Sequence, residues 1–359
     1  MNNKHWQIDA ANLDDALMKS LLCLKDQGSV IKNERTNSET MELLDYSVVI
    51  DNPTDRNLSL DKRGNNIIAQ IAETLWVLSG SDSLDYLSPF LPRAVNYSDD
   101  GKTWRAAYGK IMRHSARNLG RSTVSLGFDQ LENVINILKE DPSSRQAFIT
   151  INLPMDNDTF LQTKDTPCTL DIIFNIRDRK LNAKVIMRSN DAIFGFSGIN
   201  VYEWTVIQEL MAAILGVGIG YYSHNVMSYH IYERHYDKMN RIIEANVERD
   251  HEAESKSKVI LNLGEDISRI EDVDYIVADY IRMLSRYHSL IIQRMSLDCL
   301  KPDVESFLES HHNSNFAIFT CIPILKLIND LGFAKKVLMP IEATDLYKQV
   351  FNSNFFIKQ

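Results

Sequence analysis

Thr166-Pro167-Cys168-Thr169 leads into two apolar runs, Leu170 to Ile176 and Leu181 to Met187, and the second ends in Arg188-Ser189-Asn190-Asp191. Arg177-Asp178-Arg179-Lys180 lies between the runs and has turn character, so the pair reads as a β-hairpin. A hairpin folds the chain back and brings Cys168 near an arginine, a serine and an aspartate. Arginine favours a thiolate, and the thiolate rather than the thiol attacks carbon. The same guanidinium can hold a phosphate. One constellation then serves to bind a phosphorylated substrate and to attack it.

The flanking sequence reads as mixed α and β structure. Residues 8–28 have leucines near helical spacing, Ile67 to Leu78 reads as a helix carrying Glu73 and Trp76, and Leu131 to Lys139 as a further helix. Tyr97 to Gly109 is polar and loop-like, and Arg35 sits in the turn-like Asn33-Glu34-Arg35-Thr36-Asn37-Ser38. Ala147 to Leu153 and Tyr229-His230-Ile231-Tyr232 alternate as strands do, and Tyr202 to Leu215 is an apolar helix. From about residue 240 the texture changes. Residues 240–258 are charged and suit an exposed helix or linker, 271–298 have helical periodicity, and 303–351 read as short helices. The expected division is a catalytic domain over 1–245 and a helical C-terminal module over 246–359.

Composition narrows the function classes. With 359 residues, 44% hydrophobic and 24% charged, the chain suits a globular protein of one large domain plus an appendage, or of two domains. A net charge of −9 argues against non-specific binding to nucleic acid or acidic membrane surfaces. Cys23, Cys168, Cys299 and Cys321 are far apart with no CxxC spacing, so neither a disulfide framework nor a zinc site is expected. A reducing cytoplasm is the simplest setting. No apolar run reaches membrane-spanning length, and Met1 to Gln7 lacks the apolar stretch of a secretory signal.

Taken together, the motifs resemble the thymidylate synthase superfamily, which includes the pyrimidine-nucleotide hydroxymethylases. The resemblance spans roughly residues 30–240. Its strongest block is Pro167-Cys168, Arg188-Ser189-x-Asp191, Gly195 and Asn200, followed by His230-Ile231-Tyr232 and His235. Upstream it includes Glu34-Arg35-Thr36, Glu73-x-x-Trp76, Tyr108-Gly109 and Ser144-Arg145. It implies transfer of a one-carbon unit from 5,10-methylenetetrahydrofolate to C5 of a pyrimidine nucleoside monophosphate. Addition of the Cys168 thiolate at C6 would make C5 electron-rich.

The same resemblance implies the other roles. Glu73 is a general acid/base working through ordered water, and Tyr108 stands near the C5 proton. Arg188, Ser189 and the loop residue Arg35 hold the phosphate, with Arg145 donated across a homodimer interface to a shared site. Asn200 reads the base. His230 and Tyr232 bond the sugar hydroxyl. Asp191 binds the pterin ring, and Trp76 belongs with the cofactor. The implied fold is α+β, a large and mostly antiparallel sheet with packed helices, here with a helical C-terminal extension.

Several departures bear on the reaction. Gln146 replaces a second arginine, and Thr169 replaces the histidine that follows the nucleophile in methylating synthases. Ser197-Gly198-Ile199-Asn200 replaces Pro-Phe-Asn and is one residue longer. The tryptophan pair expected before Tyr108 is not recognisable, and the short apolar closing tail gives way to about a hundred further residues. Closing tails and aromatic walls keep water out. Their loss, with the hydroxymethylase-like run from Cys168 to Phe196, favours a hydroxymethyl product over a methyl one. The same run leans to cytidylate (CMP or dCMP), although the Asn200 amide can read either base according to a rotamer set by neighbours the sequence does not reveal. The alternatives are a dUMP or UMP hydroxymethylase, a true thymidylate synthase, and a nucleotide-binding scaffold without turnover.

Overall fold

The computed structural model describes residues 6–33, 38–118, 123–157 and 163–352. The strands are β1 Trp6–Ala10, β2 Ser29–Asn33, β3 Ser38–Ile50, β4 Ala116–Asn118, β5 Thr123–Ser125, β6 Phe148–Thr150, β7 Thr169–Arg177, β8 Lys180–Asp191 and β9 Gly218–Tyr232. The α-helices are α1 Leu13–Gln27, α2 Ile67–Leu78, α3 Tyr108–His114, α4 Gln130–Glu140, α5 Val201–Ile214, α6 Tyr236–Asn246, α7 His251–Ser257 and α8 Ile270–Gln293. They continue as α9 Lys301–Ser310, α10 Asn315–Ile328, α11 Leu331–Leu338 and α12 Asp345–Asn352.

The predicted hairpin is β7 and β8, antiparallel from Thr169 opposite Met187 to Arg177 opposite Lys180. Asp178 and Arg179 between them have φ of 50° and 58°, the left-handed backbone of a two-residue hairpin loop whose twist matches the strands. The sheet order is β1-β3-β9-β8-β7-β6 with β2 beside β3. Pairings β1–β3 and β8–β9 are parallel and the rest antiparallel, so the sheet is mixed but mainly antiparallel. The parallel β8–β9 pair needs a crossover, and α5 supplies it.

Helices α2 and α5 lie in the interior, apolar on almost every side. In α2 every residue but Glu73 is buried. Asn66 caps its start, accepting from Ala69 N at 3.2 Å. A lone carboxylate on such a helix is costly to keep charged, which makes Glu73 a candidate functional group. The C-terminal helices share this core. A single apolar cluster runs from Ala10 through Leu75, Leu210 and Tyr280 to Phe319 and Val350, and α10 packs on both α2 and α8.

Three sequence expectations change in detail. The helix expected over 8–28 begins at Leu13, because Trp6–Ala10 alternates and pairs in parallel with Tyr46–Ile50, while Asn12 caps α1 through Asp15 N. The loop-like stretch 97–109 ends with Tyr108 opening α3. The charged segment 240–258 forms α6 and α7, and His251 and Ser255 within it are buried.

Candidate active site

Cys168 stands just before β7, and its carbonyl accepts from Arg188 N at 2.9 Å. The Arg188 guanidinium reaches back over the same loop, donating to Pro167 O and Thr166 O, each at 2.8 Å. The β7–β8 register slips between Thr169 and Asp171, and such a bulge re-aims the chain beside a site. The loop is anchored from behind. Asp165 accepts from Ala106 N at 2.9 Å, and Arg105 donates to Asp165 O at 3.2 Å. Buried Asp156 pairs with Arg105 at 3.1 Å and Arg117 at 3.2 Å. Burial raises the Asp165 carboxyl to about 6. Asp165, Arg105 and Arg117 lie outside the family blocks, and no spacing in the sequence announces them.

The electrostatics correct one expectation. Arg188 does favour the Cys168 thiolate, but burial outweighs it and Asp165 adds to the effect, so the thiol is raised above its ordinary value. Arg188 alone does not generate a resting thiolate.

Tyr108 approaches the Cys168 loop from α3. Its hydroxyl accepts from Thr169 N at 3.4 Å, and its ring stacks on Trp204 at 5.8 Å. Gly109 permits this approach, because a Cβ there would overlap Val77 O on α2. Burial pushes the Tyr108 hydroxyl up, and the charge of Cys168 adds to that. Glu73 faces the same region. Its carboxyl is raised well above the usual range by burial and then by Glu203, a fully buried residue of α5. Glu203 is itself raised by burial.

The extra residue before Asn200 has a structural outcome. Ala192–Asn200 form a π-helical turn, closed by Val201 N donating to Phe196 O and running directly into α5. A π turn absorbs one inserted residue without breaking the helix that follows. Asn200 is therefore held at the entrance to α5, where its Nδ2 donates to Glu203 Oε1 at 2.9 Å and its Oδ1 accepts from Asn190 Nδ2 at 2.7 Å. Arg63, which no sequence motif singles out, braces the π turn by donating to Ile193 O at 2.6 Å and Ser197 Oγ at 3.0 Å.

The β8–β9 pairing sets Asp191 opposite His230 and Ser189 opposite Ser228. Asp191 Oδ1 accepts from Ile193 N at 3.0 Å and also from Phe194 N. Its Oδ2 is buried without a partner. His230 and Tyr232 pack edge to face with centroids 5.1 Å apart, on the shared side that strand alternation predicts. Tyr232 lies within the influence of both Asp191 and Cys168. Trp76 is buried, with its indole N–H donating to Ser83 O at 2.9 Å. It meets Trp104 at 6.0 Å, and Trp104 stacks on Tyr97 at 6.4 Å. Contrary to the sequence reading, aromatic side chains do line the stretch before Tyr108, as Trp104 with Tyr97, so the loss of an aromatic wall no longer argues for a hydroxymethyl product.

Hydrogen bonds link Cys168 to Arg188 and, through Thr169, to Tyr108, while Glu203, the acceptor for Asn200, lies within electrostatic reach of both Glu73 and Tyr108. Arg145 is exposed between α4 and β6, and among the described residues no hydrogen bond or ion pair ties it to that region. Arg35 lies outside the described residues.

A family model described as thymidylate synthase matches residues 18–287. The chain belongs to the thymidylate synthase family. The match continues past residue 245 into α8. A deoxyuridylate hydroxymethyltransferase of Delftia phage PhiW-14 is 37% identical over 204 residues, 54% of each chain. One of Bacillus phage SP01 is 29% identical over 272 residues, 74% of this chain and 68% of that one. A thymidylate synthase of Bacillus licheniformis is 34% identical over 142 residues, 40% of this chain and 48% of its own. The chain spans about half to two thirds of the length of these relatives. Among the described residues no helix is long and apolar enough to cross a membrane.

Proposed function

We propose that the chain transfers a one-carbon unit to C5 of deoxyuridylate and releases a hydroxymethyl product. The observation that carries this reading is Cys168, whose carbonyl accepts from Arg188 N while the N–H of the next residue, Thr169, donates to the Tyr108 hydroxyl. Arg188 and Ser189, with Arg35 and a neighbouring subunit's copy of Arg145, hold the phosphate. Phosphate in that position keeps the pyrimidine over Cys168 so that the sulfur adds to C6. Burial and the neighbouring Glu203 raise the Glu73 carboxyl well above its ordinary range, which favours the protonated form that a proton donor to the base needs. Tyr108 stands near the C5 proton, where its neutral hydroxyl can orient the water that takes that proton. His230 and Tyr232 read the sugar.

Methylenetetrahydrofolate supplies the one-carbon unit. The residues present fit it: Asp191 Oδ2 is a buried acceptor without a partner, suited to paired N–H donors of a pterin, and Trp104 and Tyr97 offer a ring-stacking wall backed by Trp76.

The expected lean to cytidylate has no support among the relatives. The phage relatives bear the name of deoxyuridylate enzymes, and the Asn200 amide can present the donor and acceptor that uracil needs. Water as the final acceptor is supported by Thr169, fully buried with its Oγ1 unpartnered where synthases carry histidine. The helices beyond 245 act as a buttress, since α10 packs on the helix that bears Glu73. Mass spectrometry after incubation of dUMP, dCMP, UMP and CMP with methylenetetrahydrofolate tests the reading. The expected result is a hydroxymethyl mass gain on dUMP with release of tetrahydrofolate. A methyl gain with dihydrofolate would make the protein a synthase instead.

A homodimer with shared sites follows from the same reading. The helices cover one face of the sheet, and Leu44, Phe148 and Met227 remain exposed on its strands. Mixing inactive Arg145→Ala and Cys168→Ala subunits is expected to restore about a quarter of wild-type activity, from random pairing. No recovery would argue against shared sites.

A further inference from the structure

The Asn200 amide lies in a directed chain of hydrogen bonds. Glu203 Oε1 accepts from Asn200 Nδ2 at 2.9 Å, and Asn200 Oδ1 accepts from Asn190 Nδ2 at 2.7 Å. The two ends differ in kind. Asn190 carries an amide and suits either direction by flipping, so it cannot set the polarity by itself. Glu203 presents an oxygen that accepts, and continues to accept when a proton sits on its Oε2. With Glu203 fully buried and Asn200 only 8% exposed, no bulk water substitutes for either partner. With Glu203 ionised, or protonated on Oε2, Asn200 turns its NH2 toward Glu203 and its carbonyl toward Asn190, the direction found in the structure.

Glu203 also marks which side of the base the NH2 occupies. Its charge reaches both Glu73 and Tyr108, the groups assigned to proton traffic near C4 and C5. With a base seated so that C4 faces Glu73, as the proposed proton traffic requires, the second N–H of Asn200 faces C4 and the second lone pair of its carbonyl faces N3. Uracil presents an acceptor at O4 and a donor at N3, which match. Cytosine presents a donor at N4 and an acceptor at N3, so both contacts become repulsive or unpaired.

We propose that Glu203, acting through the orientation it imposes on Asn200, is the positioning residue that makes this site select uracil over cytosine nucleotides. The inference deepens the deoxyuridylate reading and rests on it. Gly195 is part of the same device, because a Cβ there would lie 2.9 Å from Asn190 Nδ2.

The test compares kcat/KM for dUMP and dCMP, together with equilibrium binding of each nucleotide, in wild type, Glu203→Gln and the double variant Glu203→Gln/Asn190→Asp. Wild type is expected to prefer dUMP by at least about a hundredfold. A glutamine amide in place of the Glu203 carboxyl can donate as well as accept. The single variant is therefore expected to lose at least tenfold of that preference, while Glu203→Asp retains it. In the double variant the chain can run in reverse, from the introduced amide through Asn200 to the introduced carboxylate, and dCMP is expected to become the preferred ligand. A preference unchanged in Glu203→Gln, with both nucleotides weakened alike, would overturn the proposal, as would equal use of the two nucleotides by wild type. Binding reads the preference even where turnover is lost. If wild type turned over no pyrimidine nucleotide yet bound dUMP selectively, the reaction would be wrong and the Glu203 inference would still be judged by the variants.

Discussion

Cys168→Ser is expected to lower hydroxymethyl transfer by at least about a thousandfold, with nucleotide binding nearly intact. Serine keeps the shape of the site but needs a far stronger base to reach its anion, and no histidine is among the residues assigned to the reaction at Cys168. The thiol of the free protein adds a pH signature. Burial raises it above its ordinary value despite Arg188. A raised thiol holds its proton longer, so the thiolate fraction at neutral pH is smaller than that of free cysteine and grows as pH rises. Alkylation of Cys168 by iodoacetamide should therefore be slow at pH 7 and accelerate through the alkaline range. In Arg188→Ala it should be slower still at every pH below that range, because the one group favouring the thiolate is gone. Rapid alkylation that is flat between pH 6 and 8 would mean that the thiolate is already formed, and would refute this account of the nucleophile.

Glu209→Ala is expected to destabilise the fold by about 3–5 kcal/mol, the usual cost of leaving one member of a buried ion pair without its partner. Glu209 on α5 pairs with Arg56, and both are almost fully buried. Its Oε1 also accepts from Leu263 N at 2.8 Å. One side chain thus joins the loop after β3, the central crossover helix and the chain leading into α8. Denaturant unfolding measures the loss. A single cooperative transition, shifted as a whole, is expected because the apolar core is continuous to Val350. Two transitions, with only the later one shifted, would show that the C-terminal helices unfold independently of the sheet.

The residues proposed to carry the chemistry are legible in the sequence wherever the proposed role depends on residue type at a fixed local spacing. Pro167-Cys168 and Arg188-Ser189-x-Asp191 flank a hairpin whose turn is local, and His230 and Tyr232 lie two apart on a strand. Helix α2 is also legible in full, because its apolar run is bounded by Asn66 and Gly80. Trp104 is legible only in principle. A search for a tryptophan pair passes over it, whereas the position one helical turn before Tyr108 would find it. Asp165, Arg105 and Arg63 are not legible, because their partners are carbonyls and carboxylates brought near only by folding.

From its own order of residues this chain determined the hairpin and the membership of its family, both of which rest on short-range pattern. Tertiary structure alone decided the state of the Cys168 thiol, the π turn that accommodates an added residue, and the neighbours that orient Asn200. Burial, hydrogen-bond direction and charge coupling are properties of groups distant in sequence, so no local pattern encodes them.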